Sequence, residues 1–197
     1  MTTKTEKKEN QVETFSRVTF IKELQDSLEG RLSEVALRLI PSATDLFIET
    51  ISNSLKNKVS VRLKGLGVLN VYYKNARKGV RNVKTKEPAE VSARWVVSFK
   101  LGRSDRAKEI MAWSDINEII YAGIPQLTRK DVAVFHEGIL ALIGRVAEGD
   151  FRTEFRDFGS FYPSFLEGRV RYNPVSGERK QVPAKIQIGF RSYLSID

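Results

Sequence analysis

The chain has 197 residues, no cysteine and a single histidine, His136. Without a thiol it can form neither a disulfide nor a thiolate nucleophile nor a cysteine-based zinc site. One imidazole is too few for a conventional transition-metal site, so no metal or other cofactor is expected. His136 falls mid-helix beside Glu137, where a structural role is expected. No stretch approaches the ~20 apolar residues that span a bilayer. The first ten residues, Met1–Asn10, are polar and charged and lack the apolar core of a secretory signal. These absences predict a soluble protein that acts where it is made and has no membrane partner. A Walker loop, a dinucleotide fingerprint and a nucleophile elbow are missing too. Carboxylates such as Glu13, Asp45 and Glu49 form no catalytic pattern, so the chain is not expected to be an enzyme.

What is present is positive charge. Thirty-three Lys and Arg against 24 Asp and Glu give a net charge of +9, with a pI of about 9.7. That balance favours polyanionic partners, nucleic acid first. Hydrophobic residues make up 41% of the chain, enough to bury a core.

Residues 1–16 have the composition of a disordered, mixed-charge tail. From Val18 the spacing becomes helical, through Phe20, Ile21, Leu24 and Leu28, and Gly30 ends the run. Ser33 caps a second helix carrying Val35 to Leu55, which Pro41 is expected to kink or split. The period then changes to two: Val59, Val61 and Leu63 alternate with Ser60, Arg62 and Lys64. A turn at Gly65-Leu66-Gly67 leads into Val68, Leu69, Val71 and Tyr72. A basic stretch from Lys74 to Glu90 precedes a strand at Arg94–Phe99, and Ser104 can cap a short helix reaching Ala112.

The same order then recurs. Ser114 or Asp115 caps a helix with Ile116, Ile119, Ile120 and Ile124. Thr128 and Asp131 resemble a capping box ahead of Val132 to Val146. Gly149-Asp150 closes that helix, a strand runs Phe151–Phe155, and Asp157-Phe158-Gly159 turns the chain. Phe151, Phe155, Phe158, Phe161 and Phe165 are expected in the core. Trp95 and Trp113 are expected in the core and at the domain junction, and one of Tyr72 and Tyr73 should face outward. A basic stretch from Glu167 to Pro183 precedes Ile186, Ile188, Phe190, Tyr193 and Leu194. Gly67 and Gly159 are 92 residues apart, and Ser33 and Thr128 are 95 apart. Near-constant spacing argues for one unit used twice. The expected divisions are a tail at 1–16, a first domain at 17–113, and a second at 114–197 that lacks a C-terminal helix.

This element order resembles the bacterial HU and integration host factor family of histone-like proteins. The second repeat carries the sharper likeness: Gly149-Asp150, Phe158-Gly159-Ser160-Phe161, and Tyr172-Asn173-Pro174-Val175-Ser176-Gly177-Glu178, with Pro174 fifteen residues after Gly159. In the first repeat Gly65-Leu66-Gly67-Val68-Leu69 matches the turn. Gly79-Val80-Arg81-Asn82-Val83 resembles an arm tip in which Val83 stands where the family has proline, and Asp157 replaces a turn glycine in the second repeat. The resemblance implies an α+β fold: two tandem units, each with two helices and a three-stranded antiparallel sheet from which a β-arm projects. Family members act as dimers, so the two repeats can pair within one chain. The near-absent linker leaves exchange between chains open.

The resemblance also implies double-stranded DNA as partner, bent through the minor groove with low sequence specificity. The arms would contact it through Lys74, Arg77, Lys78, Arg81, Asn82, Val83, Lys84 and Lys86 in the first, and Arg169, Arg171, Asn173, Pro174, Arg179, Lys180 and Lys185 in the second. Arg169 and Arg171 flank Val170 and so share a face of their strand. A proline at a hairpin tip can wedge into a base step, whereas Asn-Pro-x-x-Gly is also good turn chemistry. A nucleoid-associated, cytoplasmic protein follows from this reading. The departures from the family leave a second: a structural protein of a phage virion that reuses the fold and grips neighbouring virion proteins.

Overall fold

The structure, a computed structural model, describes residues 12–81, 88–102, 109–172 and 177–196. The first repeat contains β1 (Glu13–Phe15), α1 (Arg17–Leu28), α2 (Glu34–Lys56), β2 (Ser60–Leu63), β3 (Gly67–Lys74), β4 (Arg77–Arg81), β5 (Pro88–Val91) and β6 (Arg94–Leu101). The second contains β7 (Ile110–Met111), α3 (Trp113–Gly123), α4 (Arg129–Gly144), a 3-10 turn (Arg145–Glu148), β8 (Phe151–Phe155), β9 (Gly159–Leu166), β10 (Arg169–Tyr172), β11 (Arg179–Val182) and β12 (Lys185–Ser192).

Local signals start the helices. Ser16 caps α1, its Oγ accepting from the Thr19 N–H, and Ser33 caps α2 by accepting from the Ala36 N–H at 3.2 Å. At α4 the capping box is complete. Thr128 Oγ1 accepts from the Asp131 N–H at 3.1 Å, and Asp131 Oδ2 accepts from the Thr128 N–H at 2.9 Å. At α3 the cap position is Ala112, not Ser114 or Asp115. Asp115 sits at the third helical position and its carboxylate accepts from the Ala112 N–H at 3.0 Å. α2 is continuous through Pro41 and is not split there, because a side chain from α1 meets the carbonyl that proline leaves free.

The sheets show how the repeats join. Their strand orders are β1-β8-β9-β12 and β6-β3-β2-β7. Each keeps the expected three antiparallel strands of one repeat and gains a fourth, parallel strand from the other. β1 runs along β8, and β7 runs along β2. In both cases the added strand is the segment that leads into the helices of the opposite repeat. Glu13–Phe15 thus lies in a strand, inside the stretch expected to be a tail, because Phe15 is buried and stacks on Phe151 with centroids 4.2 Å apart. Ile110–Met111 is likewise a strand where the end of a short helix was expected, and the Ser54 hydroxyl contacts Met111 Sδ at 3.2 Å. Ser104 and the rest of that expected helix, 103–108, lie outside the described residues.

The two repeats share one hydrophobic core, an intramolecular pseudo-dimer. α1 packs on α4, and α2 on α3. Phe20 of α1 meets Phe155 of β8 edge-on at 5.0 Å, and Phe99 of β6 meets Phe161 of β9 at 6.0 Å. Gly138 lets α1 and α4 approach: a Cβ there would stand 2.9 Å from a Leu28 methyl and 3.1 Å from a Leu24 methyl. β6 and β12 lie side by side at the middle, so the strands repeat about a pseudo-twofold axis between them. Phe151, Phe155, Phe158 and Phe161 are buried as expected. Phe165 is not: it is 60% exposed near the arm end of β9, paired with Ile186 beside Gly149. Tyr72 and Tyr73 are both exposed, on opposite faces of β3. No helix among the described residues is long and apolar enough to cross a membrane.

Candidate nucleic-acid interface

Each central hairpin continues into a second, narrower ribbon. β3 and β6 lead into β4–β5, and β9 and β12 lead into β10–β11, with two residues outside any strand at each passage: 75–76, 92–93, 167–168 and 183–184. In the second ribbon Arg169 pairs with Val182 and Arg171 with Lys180, so these three cations share one face. Val170 pairs with Gln181 and Tyr172 with Arg179 on the other face. All four cations are exposed. In the first ribbon Arg77 is exposed opposite Val91, and the register shifts between Arg77 and Val80, where Gly79 takes φ +72°. Lys78 and Arg81 have backbone positions on β4, but their side chains lie outside the described set, as do Asn82, Val83, Lys84, Lys86, Asn173 and Pro174 entirely. Lys74 and Lys185 stand at the roots of the ribbons, on the sheets: Lys74 opposite Arg94, and Lys185 opposite Leu166.

The strand register brings together a second set of cations that the sequence reading missed. On the sheet face turned away from the helices, Arg62 and Lys100 flank Val68, and Lys74 neighbours Arg94. The same face of the other sheet carries Arg152, Arg191 and Lys185, with Glu154 as the acid among them. Glu154 accepts from the Tyr193 hydroxyl at 3.2 Å, and Arg152 Nε donates to Thr14 Oγ1 at 2.9 Å. Alternation had placed Arg62 outward, but it could not say that Lys100 lies two strands away on the same face.

His136 has no place in a polar site. It is fully buried, its ring tilted by 40° against that of Trp113 with centroids 4.0 Å apart and near Phe47 and Phe135, and neither ring nitrogen has a hydrogen-bond partner. Burial pushes its pKa down to about 3, so the ring is neutral near pH 7. Among the described residues no group of three or more His, Asp or Glu is placed to hold a metal ion.

Two hairpin ribbons, the second carrying four exposed cations, together with a cationic sheet face, are a geometry for a long polyanion. The family model described as "Bacterial DNA-binding protein" matches the chain twice, over residues 16–108 and 111–195. The integration host factor subunit beta of a Marinomonas species is 33% identical over 98 residues, spanning 49% of this chain and 95% of the relative. The integration host factor subunit alpha of Mannheimia haemolytica is 44% identical over 71 residues, spanning 36% of this chain and 71% of the relative. An Anabaena HU–DNA cocrystal structure aligns over 40% of this chain and 84% of its own with 19% identity and a TM-score of 0.35. The chain belongs to the bacterial DNA-binding protein family of HU and integration host factor, and it carries that family's unit twice.

Proposed function

We propose that this chain is a DNA-architectural protein: it grips duplex DNA between its two ribbons and bends it through the minor groove with little sequence specificity. The observation that carries this reading is the ribbon pair itself. One chain presents two hairpin extensions, and the second holds Arg169, Arg171 and Lys180 on one face. Cations spaced along a strand can follow a row of phosphates and release counterions, a term indifferent to base sequence.

In this reading the single chain replaces a dimer. The sheet face, with Arg62, Arg94, Lys100, Arg152 and Arg191, supports the middle of the duplex. Lys74, Arg77, Lys78, Arg81, Lys84 and Lys86 line one flank. Arg169, Arg171, Arg179, Lys180 and Lys185 line the other, with Asn173 near its tip. Bending a short site costs on the order of 1–6 kcal/mol, which phosphate contacts along the wrapped flanks offset. Pro174 supplies a rigid wedge at one tip and Val83 a softer one at the other. The kink is therefore larger on the second repeat's side, and the protein acts on the nucleoid.

The test combines a salt-series gel shift with energy transfer between dyes at the two duplex ends. The expected result is duplex binding that weakens steeply with salt and a bend that Pro174→Ala reduces. Duplex binding with an unchanged bend in Pro174→Ala would remove the wedge. Absence of duplex binding at low salt would remove the whole reading.

A further inference from the structure

Tyr162 lies over a glycine. The two residues are direct partners across β9 and β12. A Cβ built on Gly189 would stand 2.6 Å from Cε2 and Cζ of the tyrosine ring and 3.0 Å from its hydroxyl. A residue without a side chain leaves room for a ring against the sheet backbone, which is one reason glycine occurs inside a strand. Tyr162 is still 38% exposed, so part of the ring faces outward. An aromatic ring held against backbone with a free face is a platform for another planar group.

The platform stands in a cleft of about 970 Å³ at the seam between β12 and β6. Arg94, Arg152 and Arg191 line the same cleft, together with Trp95 and Tyr193, and no acid is among its lining residues. All three arginines are exposed. Guanidinium groups present forked donors that match phosphate oxygens. A stacking surface beside three such groups fits a planar base that carries a phosphate.

The cleft does not obey the pseudo-twofold. The position equivalent to Tyr162 is the buried Asn70, the one equivalent to Gly189 is Ser98, and the one equivalent to Arg152 is the buried Ser60. The first repeat therefore offers a duplex no matching site. A feature built on one side of an otherwise two-sided surface can read something that occurs once per bound DNA.

We propose that the seam cleft is a single-nucleotide subsite: one unstacked base lies on Tyr162 while its phosphate sits among Arg94, Arg152 and Arg191. The proposal rests on the nucleic-acid reading above and narrows it to DNA in which one base has left the stack. The shared chemistry is a base bearing a phosphate, which a DNA strand or a free nucleotide can supply.

The test measures fluorescence anisotropy of a short labelled oligothymidylate and, separately, of an intact labelled duplex. Titrations use the full chain and its Tyr162→Ala, Tyr162→Phe and Arg191→Gln variants. Tyr162→Ala should weaken oligothymidylate binding about tenfold, while Tyr162→Phe retains it, since stacking needs the ring and not the hydroxyl. Duplex binding should change less than about twofold in Tyr162→Ala, because phosphates on the arms dominate it. Competition by thymidine monophosphate would support the subsite and extend it to free nucleotides; lack of competition with the same variant effects would support it for strands alone. Equal oligothymidylate binding by the wild type and Tyr162→Ala, with duplex binding intact, would overturn the subsite and leave the architectural reading standing. Loss of both ligands from the wild type would overturn both.

Discussion

Gln25 of α1 donates its side-chain amide to the backbone carbonyl of Leu37 in α2, at 2.9 Å. That carbonyl is the one whose helical partner would be the N–H of residue 41, and residue 41 is proline. Proline within a helix leaves an orphan acceptor one turn back. Here the neighbouring helix of the same repeat satisfies it, and α2 continues for fifteen residues beyond Pro41.

Gln25→Ala should therefore destabilise the protein by about 1–2 kcal/mol, the cost of a part-buried acceptor left unmet. In a Pro41→Ala background, where a backbone N–H returns, the same substitution should cost less than about 0.5 kcal/mol. Urea unfolding of the four variants measures the coupling, and additive effects would show that the two residues act independently.

Phe15→Ala should cost about 3 kcal/mol, the usual range for a buried phenylalanine. It removes the ring stacked on Phe151 and loosens β1 from β8. Thermal or urea unfolding measures the loss. A cost under about 0.5 kcal/mol, typical of a surface change, would mean that β1 does not hold the second repeat's sheet.

His136 gives the fold an acid-sensitive point. Its pKa is about 3 folded, against an ordinary value of 6.5. Between those values the unfolded chain binds a proton that the folded chain refuses. Above pH 6.5 the group makes no difference. Below it, stability falls by about 1.4 kcal/mol per pH unit from this group, until the folded form protonates near pH 3. His136→Phe should flatten the stability profile between pH 6 and 4 on the order of that slope. An unchanged slope in unfolding measured at several pH values would assign the acid sensitivity elsewhere.

Asp157 adopts φ +61°, a left-handed conformation that favours glycine, at the β8–β9 turn where the first repeat has Gly65 at φ +82°. Asp157→Gly should stabilise the protein by about 1 kcal/mol through relief of that strain. A shift of the unfolding midpoint in the opposite direction would show that the aspartate contributes more than its backbone costs.

On the DNA side, Arg171→Gln and Lys180→Gln should each lower the slope of log affinity against log salt by about 0.9, one phosphate contact apiece. Arg38→Gln, on the exposed surface of α2 beside Glu34, should leave the slope unchanged. Filter binding or anisotropy over a salt series reads the difference.

Much of this architecture is legible from near neighbours in sequence. Ser33 and Thr128 mark helix starts because their side chains bond to backbone three residues away. The alternation at Arg169-Val170-Arg171 places both arginines on one face because a strand turns its side chains every second residue. The failures have a common cause. β1 and β7 have three and two residues, too few to show a period, and exist only because β8 and β2 offer an open edge. Phe165 has the same local pattern as Phe161, yet it is 60% exposed at the arm end of β9 where Phe161 is buried among aromatic rings.

The sequence by itself determined the doubled unit, the order of the four long helices and the antiparallel strands, the caps at Ser33 and Thr128, and the concentration of cations in two long stretches. Each of these follows from interactions within a few residues or from the spacing of repeated marks. Only the tertiary structure decided which repeat completes the other's sheet, how Pro41 is tolerated, and that Tyr162, Arg94, Arg152 and Arg191 meet in one cleft. Local periodicity encodes that a face is to be buried or exposed; it does not encode the surface on the far side, which packing across the pseudo-twofold supplies.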